Sequence, residues 1–256
     1  MNKPHIVAFG GGVDSTAMVI GLVERGEPID LILFADTGAE RPETYKHIES
    51  FNAWLRERGC VEIQTVKKMK DGEVYTLEKD CLKNECLPSI AYGFKRCSDH
   101  FKIRPQHSFV REWKPAVDVW ASGEKVVKYI GYDAGETRRK DNADRKVDNK
   151  YEYKYPLIDW GWEREECLDA IKAAGLELPP KSACFFCPSS RPAEIVALGQ
   201  LHPDLLDRAL DMESKAKLTH IKGLGRQYSW GELIRMHRSQ MSLPFVGFDL
   251  PCECTE

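Results

Sequence analysis

No apolar run in these 256 residues approaches the roughly eighteen needed to cross a bilayer, and Met1 to His5 leads straight into a strand-like run without a hydrophobic signal core. The expected compartment is therefore the cytoplasm, with no membrane partner. Charge of one sign is lacking too. With 37 Lys and Arg against 40 Asp and Glu the formal net charge is -3, so global charge does not announce nucleic-acid binding. There is no internal repeat and no low-complexity tract. Neither Gly-x-x-x-x-Gly-Lys-Ser/Thr nor a Gly-x-Gly-x-x-Gly in the right context occurs, which removes the two commonest nucleotide signatures. What is present is a globular balance of 42% hydrophobic and 30% charged residues, long enough for one α/β domain with an elaborated C-terminal part. Nine cysteines, an odd number and many for a cytosolic chain, point to metal or redox chemistry ahead of a disulfide framework.

The hydrophobic pattern alternates strand and helix through the first third. His5 to Phe9 and Leu31 to Ala35 are apolar runs of buried-strand type, and Val61 to Val66 alternates as a strand. Between them, Ser15 to Val23 and Pro42 to Arg58 carry helical spacing. That order implies a parallel sheet with right-handed crossovers. Thr76 to Pro105 is expected to be irregular with short helices, Lys125 to Ile130 a strand, and Thr137 to Lys150 a solvated, mobile loop. Helices are expected over Glu163 to Ala174, Pro192 to Gly199, Pro203 to Lys217 and Ser229 to Ser239, ahead of a loose tail. The organisation read from this is a nucleotide-binding domain over residues 1–200 and a helical extension with tail over 201–256.

The chemistry starts at Gly10-Gly11-Gly12-Val13-Asp14-Ser15-Thr16, between a strand and a helix. Glycines let backbone N–H groups approach an anion, and the helix N-terminus adds positive potential, so all seven residues are candidates for holding phosphate. Ser15 and Thr16 add hydroxyls. Asp14 repels bare phosphate, and its natural role there is to hold a Mg²⁺ that bridges nucleotide oxygens.

Gly11-Gly12-Val13-Asp14-Ser15 resembles the Ser-Gly-Gly-x-Asp-Ser loop of the PP-loop ATP pyrophosphatase superfamily, with Gly10 where that family has its first serine. The turn Asp36-Thr37-Gly38 followed by Pro42-Glu43-Thr44 is similar to the phosphoadenosine-phosphosulfate (PAPS) reductase branch. So is Gly131-Tyr132-Asp133-Ala134-Gly135-Glu136-Thr137-Arg138-Arg139, with Asp133 replacing the usual arginine, and so is Tyr155 to Trp160 followed by Cys184-Phe185-Phe186-Cys187-Pro188. The resemblance implies a Rossmann-like, adenine nucleotide alpha hydrolase-like parallel sheet flanked by helices. It also implies an adenine nucleotide, ATP with Mg, contacted by the glycine loop, Asp36, Thr37, Gly38 and Gly131. Asp14, Ser15, Glu136 and Arg138 or Arg139 are its catalytic candidates.

Cys184 and Cys187 form a Cys-x-x-Cys pair that suits a metal, a cluster or a redox disulfide. Cys97, ahead of Lys102 and Pro105, resembles the cysteine segment of the iron–sulfur adenylylsulfate reductases. That resemblance implies a 4Fe-4S cluster on Cys97, Cys184 and Cys187, with Cys86, Cys81 or a tail cysteine as fourth ligand. Zinc on Cys97, Cys184, Cys187 and His100 is the alternative. Cys60 and Cys167 read as small buried hydrophobes.

The leading functional expectation is an ATP pyrophosphatase, a transferase or hydrolase that cleaves the α–β phosphate bond and links adenylyl activation to sulfur transfer. Its acceptor is a nucleic acid or a small molecule, and a homodimer or larger assembly is compatible with it. The alternatives are a sulfonucleotide reductase in which Cys254 or Cys252 attacks sulfur, and a nucleotide-binding module without turnover.

Overall fold

The computed structural model describes residues 3–144 and 148–241. The strands are His5–Phe9 (β1), Leu31–Asp36 (β2), Ile63–Lys67 (β3), the short pair Met69–Lys70 (β4) and Glu73–Val74 (β5), Val126–Ile130 (β6) and Tyr151–Lys154 (β7). Five of them build one parallel sheet in the order β3-β2-β1-β6-β7, while β4 and β5 form a small antiparallel hairpin. The chain runs outward from β1 through β2 to β3, then returns to the opposite side of β1 as β6. The β1/β6 junction is therefore a topological switch point, where open α/β sheets present a crevice beyond their C-terminal strand ends.

The helices are Val13–Glu24 (α1), Pro42–Glu57 (α2), Leu77–Lys83 (α3), Arg96–Ser98 (α4), Arg104–Glu112 (α5), Lys114–Ala121 (α6), Thr137–Asp144 (α7), Pro156–Asp159 (α8), Arg164–Ala173 (α9), Pro192–Leu201 (α10), Pro203–Lys215 (α11) and Trp230–Met241 (α12). On one sheet face Val7, Phe9, Ile32, Phe34, Val127 and Tyr129 pack with α1, α2 and α9. On the other, Ile6, Leu31, Leu33, Ala35, Val126 and Tyr151 pack with Val110, Ala116 and Val119 of α5 and α6. Both faces of β2 are covered, which is why Leu31 to Asp36 is buried at every residue and reads as a continuous apolar run. Trp160 lies against α1 where a Cβ on Gly21 would approach its ring to 2.5 Å, and Arg25 stacks over that ring at 4.1 Å.

A further core joins Ala39, Tyr75, Leu77, Phe101, Phe185 and Phe186 to Leu198, Leu206, Met212, Trp230 and Ile234. The division expected at residue 200 falls inside α10, and residues on both sides of it share this core.

One expectation is corrected. Thr137 to Lys150, read as a loop, begins with helix α7; its charges are those of a solvated helix surface, which lacks the apolar stripe that periodicity detects. Thr76 to Pro105, expected to be irregular with short helices, holds α3, α4 and a π-helical turn at Asp99–Ile103 that runs into α5. Pro105 has no N–H to offer the Phe101 carbonyl, and it sits in the first turn of α5 directly after that widened turn. Tyr151–Lys154, for which the sequence carried no reading, is a parallel edge strand too short to show a strand pattern, with Tyr151 and Tyr153 one period apart.

Candidate nucleotide site

β1 ends at Phe9 and α1 starts at Val13, so Gly10, Gly11 and Gly12 make the turn at the switch point. Gly11 has φ +75°, a left-handed conformation that favours glycine, and a Cβ there would lie 3.3 Å from Thr44 Cγ2. The Ser15 hydroxyl accepts from Gly12 N at 3.3 Å and donates to Gly12 O at 3.1 Å, holding the loop on the helix N-terminus. Thr16, expected to contact phosphate, is fully buried; its hydroxyl lies 2.9 Å from Gly12 O and 2.9 Å from His47 Nε2 and is committed to the scaffold.

Burial lowers the pKa of His47 to about 4, whereas the unfolded chain's histidines protonate near 6.5. Between those values the unfolded state binds the extra proton, so this group makes stability rise with pH from about 4 to 6.5 and fall on acidification across the same window. The loss is on the order of 3 kcal/mol. Urea titrations at pH 7 and pH 4.5 check it: His47→Gln should flatten the difference between the two midpoints.

Asp14 is paired within the protein. Arg164 Nη1 of α9 donates to its Oδ1 at 2.9 Å, so a guanidinium supplies the countercharge assigned to Mg²⁺ from sequence. Burial raises the Asp14 pKa against the pull of Arg164, and Asp133 and Glu136 add repulsion. Gly131, at the end of β6, lies against this turn: a Cβ there would come within 3.3 Å of Ser15 N and Cα. Glu136 pairs with Arg139, whose guanidinium lies 4.4 Å over the Tyr132 ring. Both Arg138 and Arg139 are exposed, and of the two Arg139 lines the cleft described below.

The turn after β2 is internally bonded. Asp36 is buried, and its carboxylate accepts from Gly38 N at 2.7 Å and Tyr45 Oη at 2.9 Å while pairing with Lys67 at 3.2 Å. Both oxygens thus have partners inside the protein, and the carboxylate shapes the turn. Thr37 Oγ1 lies 3.2 Å from Cys184 Sγ, and Phe185 N donates to Ala39 O at 2.8 Å. The cysteine loop is thus strapped onto the β2 turn. Glu40, buried beside it, pairs with Lys102 Nζ at 3.0 Å. Burial pulls the Lys102 pKa down, but the Glu40 carboxylate outweighs it and holds the amine above its usual value.

Cys184 is buried and Cys187 half-buried; burial pushes the Cys184 thiol up to about 12, as expected of a neutral thiol. Cys81, Cys86, Cys97 and His100 line one pocket of about 360 Å³, and Cys81 and Cys184 belong to the same core, with Cys97 and Cys187 packed against it. The expected metal ligands Cys86, Cys97, Cys184 and Cys187 thus share a region. As arranged they do not form a ligand set: among the described residues no three His, Cys, Asp or Glu side chains converge closely enough to hold an ion. Cys184 Sγ lies beside Thr37 Oγ1, and Cys97 lines the pocket beside α3. Cys167 is fully buried and Cys60 packs against the same core. Cys252 and Cys254 lie outside the described residues.

Beside the glycine loop is a cleft of about 750 Å³, bounded by Phe9 and Gly10, Ala35, Ile130, Tyr155 and the Lys102–His107 stretch. Two of the residues here went unread in the sequence. Ser182 Oγ donates to Gly10 O at 2.5 Å, from a loop 172 residues downstream, and nothing local in Lys181-Ser182-Ala183 signals it. Lys128 interrupts the apolar run Val126-Val127-Lys128-Tyr129-Ile130, a signal that was present, and it lines the cleft.

Residues 4–165 match the family model described as phosphoadenosine phosphosulfate reductase domain. Two curated proteins of Methanocaldococcus jannaschii are similar: uncharacterized protein MJ0973, 23% identical over 91% of this chain and 53% of its own length, and uncharacterized protein MJ0066, 26% identical over 81% and 41%. The chain spans about half the length of these relatives. Among solved structures, the U34-tRNA thiolase NcsA from Methanococcus maripaludis with its 4Fe-4S cluster overlays 100% of this chain and 77% of its own, at 13% identity and a TM-score of 0.44, which is too loose to assign a site.

Proposed function

Since the chain belongs to the phosphoadenosine phosphosulfate reductase domain family, we propose that it binds ATP at the glycine loop, breaks the bond between the α- and β-phosphates, and passes the adenylyl group to an acceptor in sulfur-transfer chemistry. Pyrophosphate leaves as the acceptor oxygen bonds to the α-phosphorus. The observation that carries this reading is the convergence at the switch point of Gly10 to Ser15, the Gly131 turn packed on Ser15, and Ser182 bonded to Gly10. Backbone N–H groups and the α1 N-terminus supply positive potential for a pyrophosphate leaving group. Arg139, which lines the cleft, is the cation placed in the role read from sequence for Arg138 or Arg139. No step is routed through an iron–sulfur centre or zinc, because the described thiols do not converge.

Ser182 bears on the same reading. The glycine loop lacks the serine its relatives carry at position 10, and Ser182 brings a hydroxyl to that place from another segment. Ser182→Ala should weaken MgATP binding by about five- to tenfold, the worth of roughly one hydrogen bond to a strained loop. A Cβ on Gly10 meets only Ser15 Oγ, at 3.7 Å, so Gly10→Ser fits and should recover part of the loss in the double variant. Anaerobically purified protein with MgATP and isothermal titration provides the binding readout, and pyrophosphate release provides the reaction. ATP bound without pyrophosphate released sinks the cleavage reading and leaves a nucleotide-binding module. Sulfite released from a sulfonucleotide in the presence of a thiol reductant supports the reductase alternative instead.

A further inference from the structure

The cleft beside the glycine loop has a charged floor that nucleotide binding at the loop does not use. Lys128 is 6% exposed and is one of the residues that line the cleft, and no carboxylate among the described residues lies within ion-pair distance of its amine. Its nearest electrostatic partner is the face of Tyr151, at 5.2 Å from the ring centre. Asp148 is the acidic group that acts on Lys128 from further off, and its carboxylate is already committed, accepting from Lys150 N at 2.8 Å, Tyr151 N at 3.1 Å and Tyr153 Oη at 2.8 Å. His107 stacks on Tyr151 at 5.4 Å and lines the same floor. A lysine buried without a counter-ion costs stability, and burial holds its pKa down at about 8. Such a group persists where a ligand supplies the missing charge.

Position separates this floor from the phosphate loop. In the sheet register Lys128 sits opposite Ile6, four residues before Gly10 along β1, a backbone offset on the order of 13 Å, so the two stand at different places along the one cleft that both line.

We propose that Lys128, with His107 and Tyr153 around it, forms an anion subsite that takes an acid group of the second substrate, a small molecule bearing a carboxylate or a tetrahedral oxyanion, while the nucleotide occupies the glycine loop. This deepens the proposed function and rests on the glycine loop being the nucleotide site. It favours a small acidic acceptor or sulfur donor over a neutral one.

Pulse acetylation of the whole protein with acetic anhydride at pH 8, read by mass spectrometry at constant ionic strength, tests it. The probes are sulfate, acetate and the non-hydrolysable ATP analogue AMPCPP with Mg²⁺. Sulfate or acetate should cut labelling of Lys128 by about fivefold and leave exposed Lys114 unchanged, and whichever anion protects better separates tetrahedral from carboxylate groups. AMPCPP alone should leave Lys128 labelling within about twofold. Lys128→Met should bind AMPCPP like the parent and melt about 3–6 °C higher, because a buried unpaired charge is replaced by an apolar side chain of similar volume. The proposal is overturned if Lys128 resists acetylation without anions, if neither anion protects it, if AMPCPP protects it as fully as they do, or if Lys128→Met melts lower. Absence of AMPCPP binding by the parent protein fails the glycine-loop reading instead, while the anion arms still report on Lys128.

Discussion

Gly38→Ala should lower the melting temperature by about 10 °C, the equivalent of roughly 3 kcal/mol in a chain of this size. Gly38 has φ +72°, where an L side chain is strained, and a Cβ would come to 2.3 Å from Thr76 Cγ2 and 2.8 Å from Thr76 Cβ. Thr76 cannot swing away freely. Its hydroxyl caps α3 by accepting from Lys79 N at 3.1 Å, and the next residue, Leu77, donates its N–H to Thr37 O at 3.0 Å. Backbone strain of about 1 kcal/mol, overpacking of about 1–2 kcal/mol and a weakened cap of about 1 kcal/mol therefore fall on one turn. The same turn carries Asp36, Thr37 and the strap to Cys184, so nucleotide affinity should fall with stability. Thr76→Ser removes the closest clashing methyl and keeps the cap. In the double variant it should recover part of the melting temperature, and a purely additive result would contradict this account.

Glu213→Ala is expected to cost about 4 kcal/mol and to loosen the C-terminal helices first. Glu213 is buried, and its carboxylate accepts from three backbone N–H groups: Leu224 N at 2.7 Å, Trp230 N at 2.9 Å and Gly231 N at 3.0 Å. It ties α11 to the irregular stretch before α12 and to the first turn of α12, where an acceptor also suits the helix N-terminus. Alanine would strand all three donors in a dry core beside fully buried Trp230. Glutamine keeps an acceptor on one side and places an amide against the other, so it should fall between parent and alanine. Hydrogen exchange resolved over α11 and α12 checks the order. Protection lost equally over β1 and β2 would show that Glu213 holds the whole molecule and not this corner.

The alternating strands and helices of the first third were legible because each element has its own apolar signal, continuous in β2 and helically spaced in α2. The glycine loop was legible because strand, glycines and helix are consecutive in the chain. The cysteine motif named the right neighbourhood, and the thiols do gather around one core, yet spacing along the chain says nothing about whether side chains converge. Tyr45 and Lys67, the partners of Asp36, were not legible, because they arrive from a helix and a strand that only the fold brings back. Arg138 and Arg139 were indistinguishable in sequence, and the direction of one helical turn separates them.

Sequence by itself determined the parallel α/β class, the strand-to-helix phosphate turn and the family, since those depend on local periodicity and on contiguous motifs. Tertiary structure decided how that turn is completed and what lies beneath it. Arg164 came to Asp14, Ser182 to Gly10, and Lys128 to the floor of a cleft without a counter-ion among the described residues. Those are contacts between segments more than a hundred residues apart, or consequences of which neighbours a strand acquires, and burial and charge at such points exist only once the chain has closed on itself.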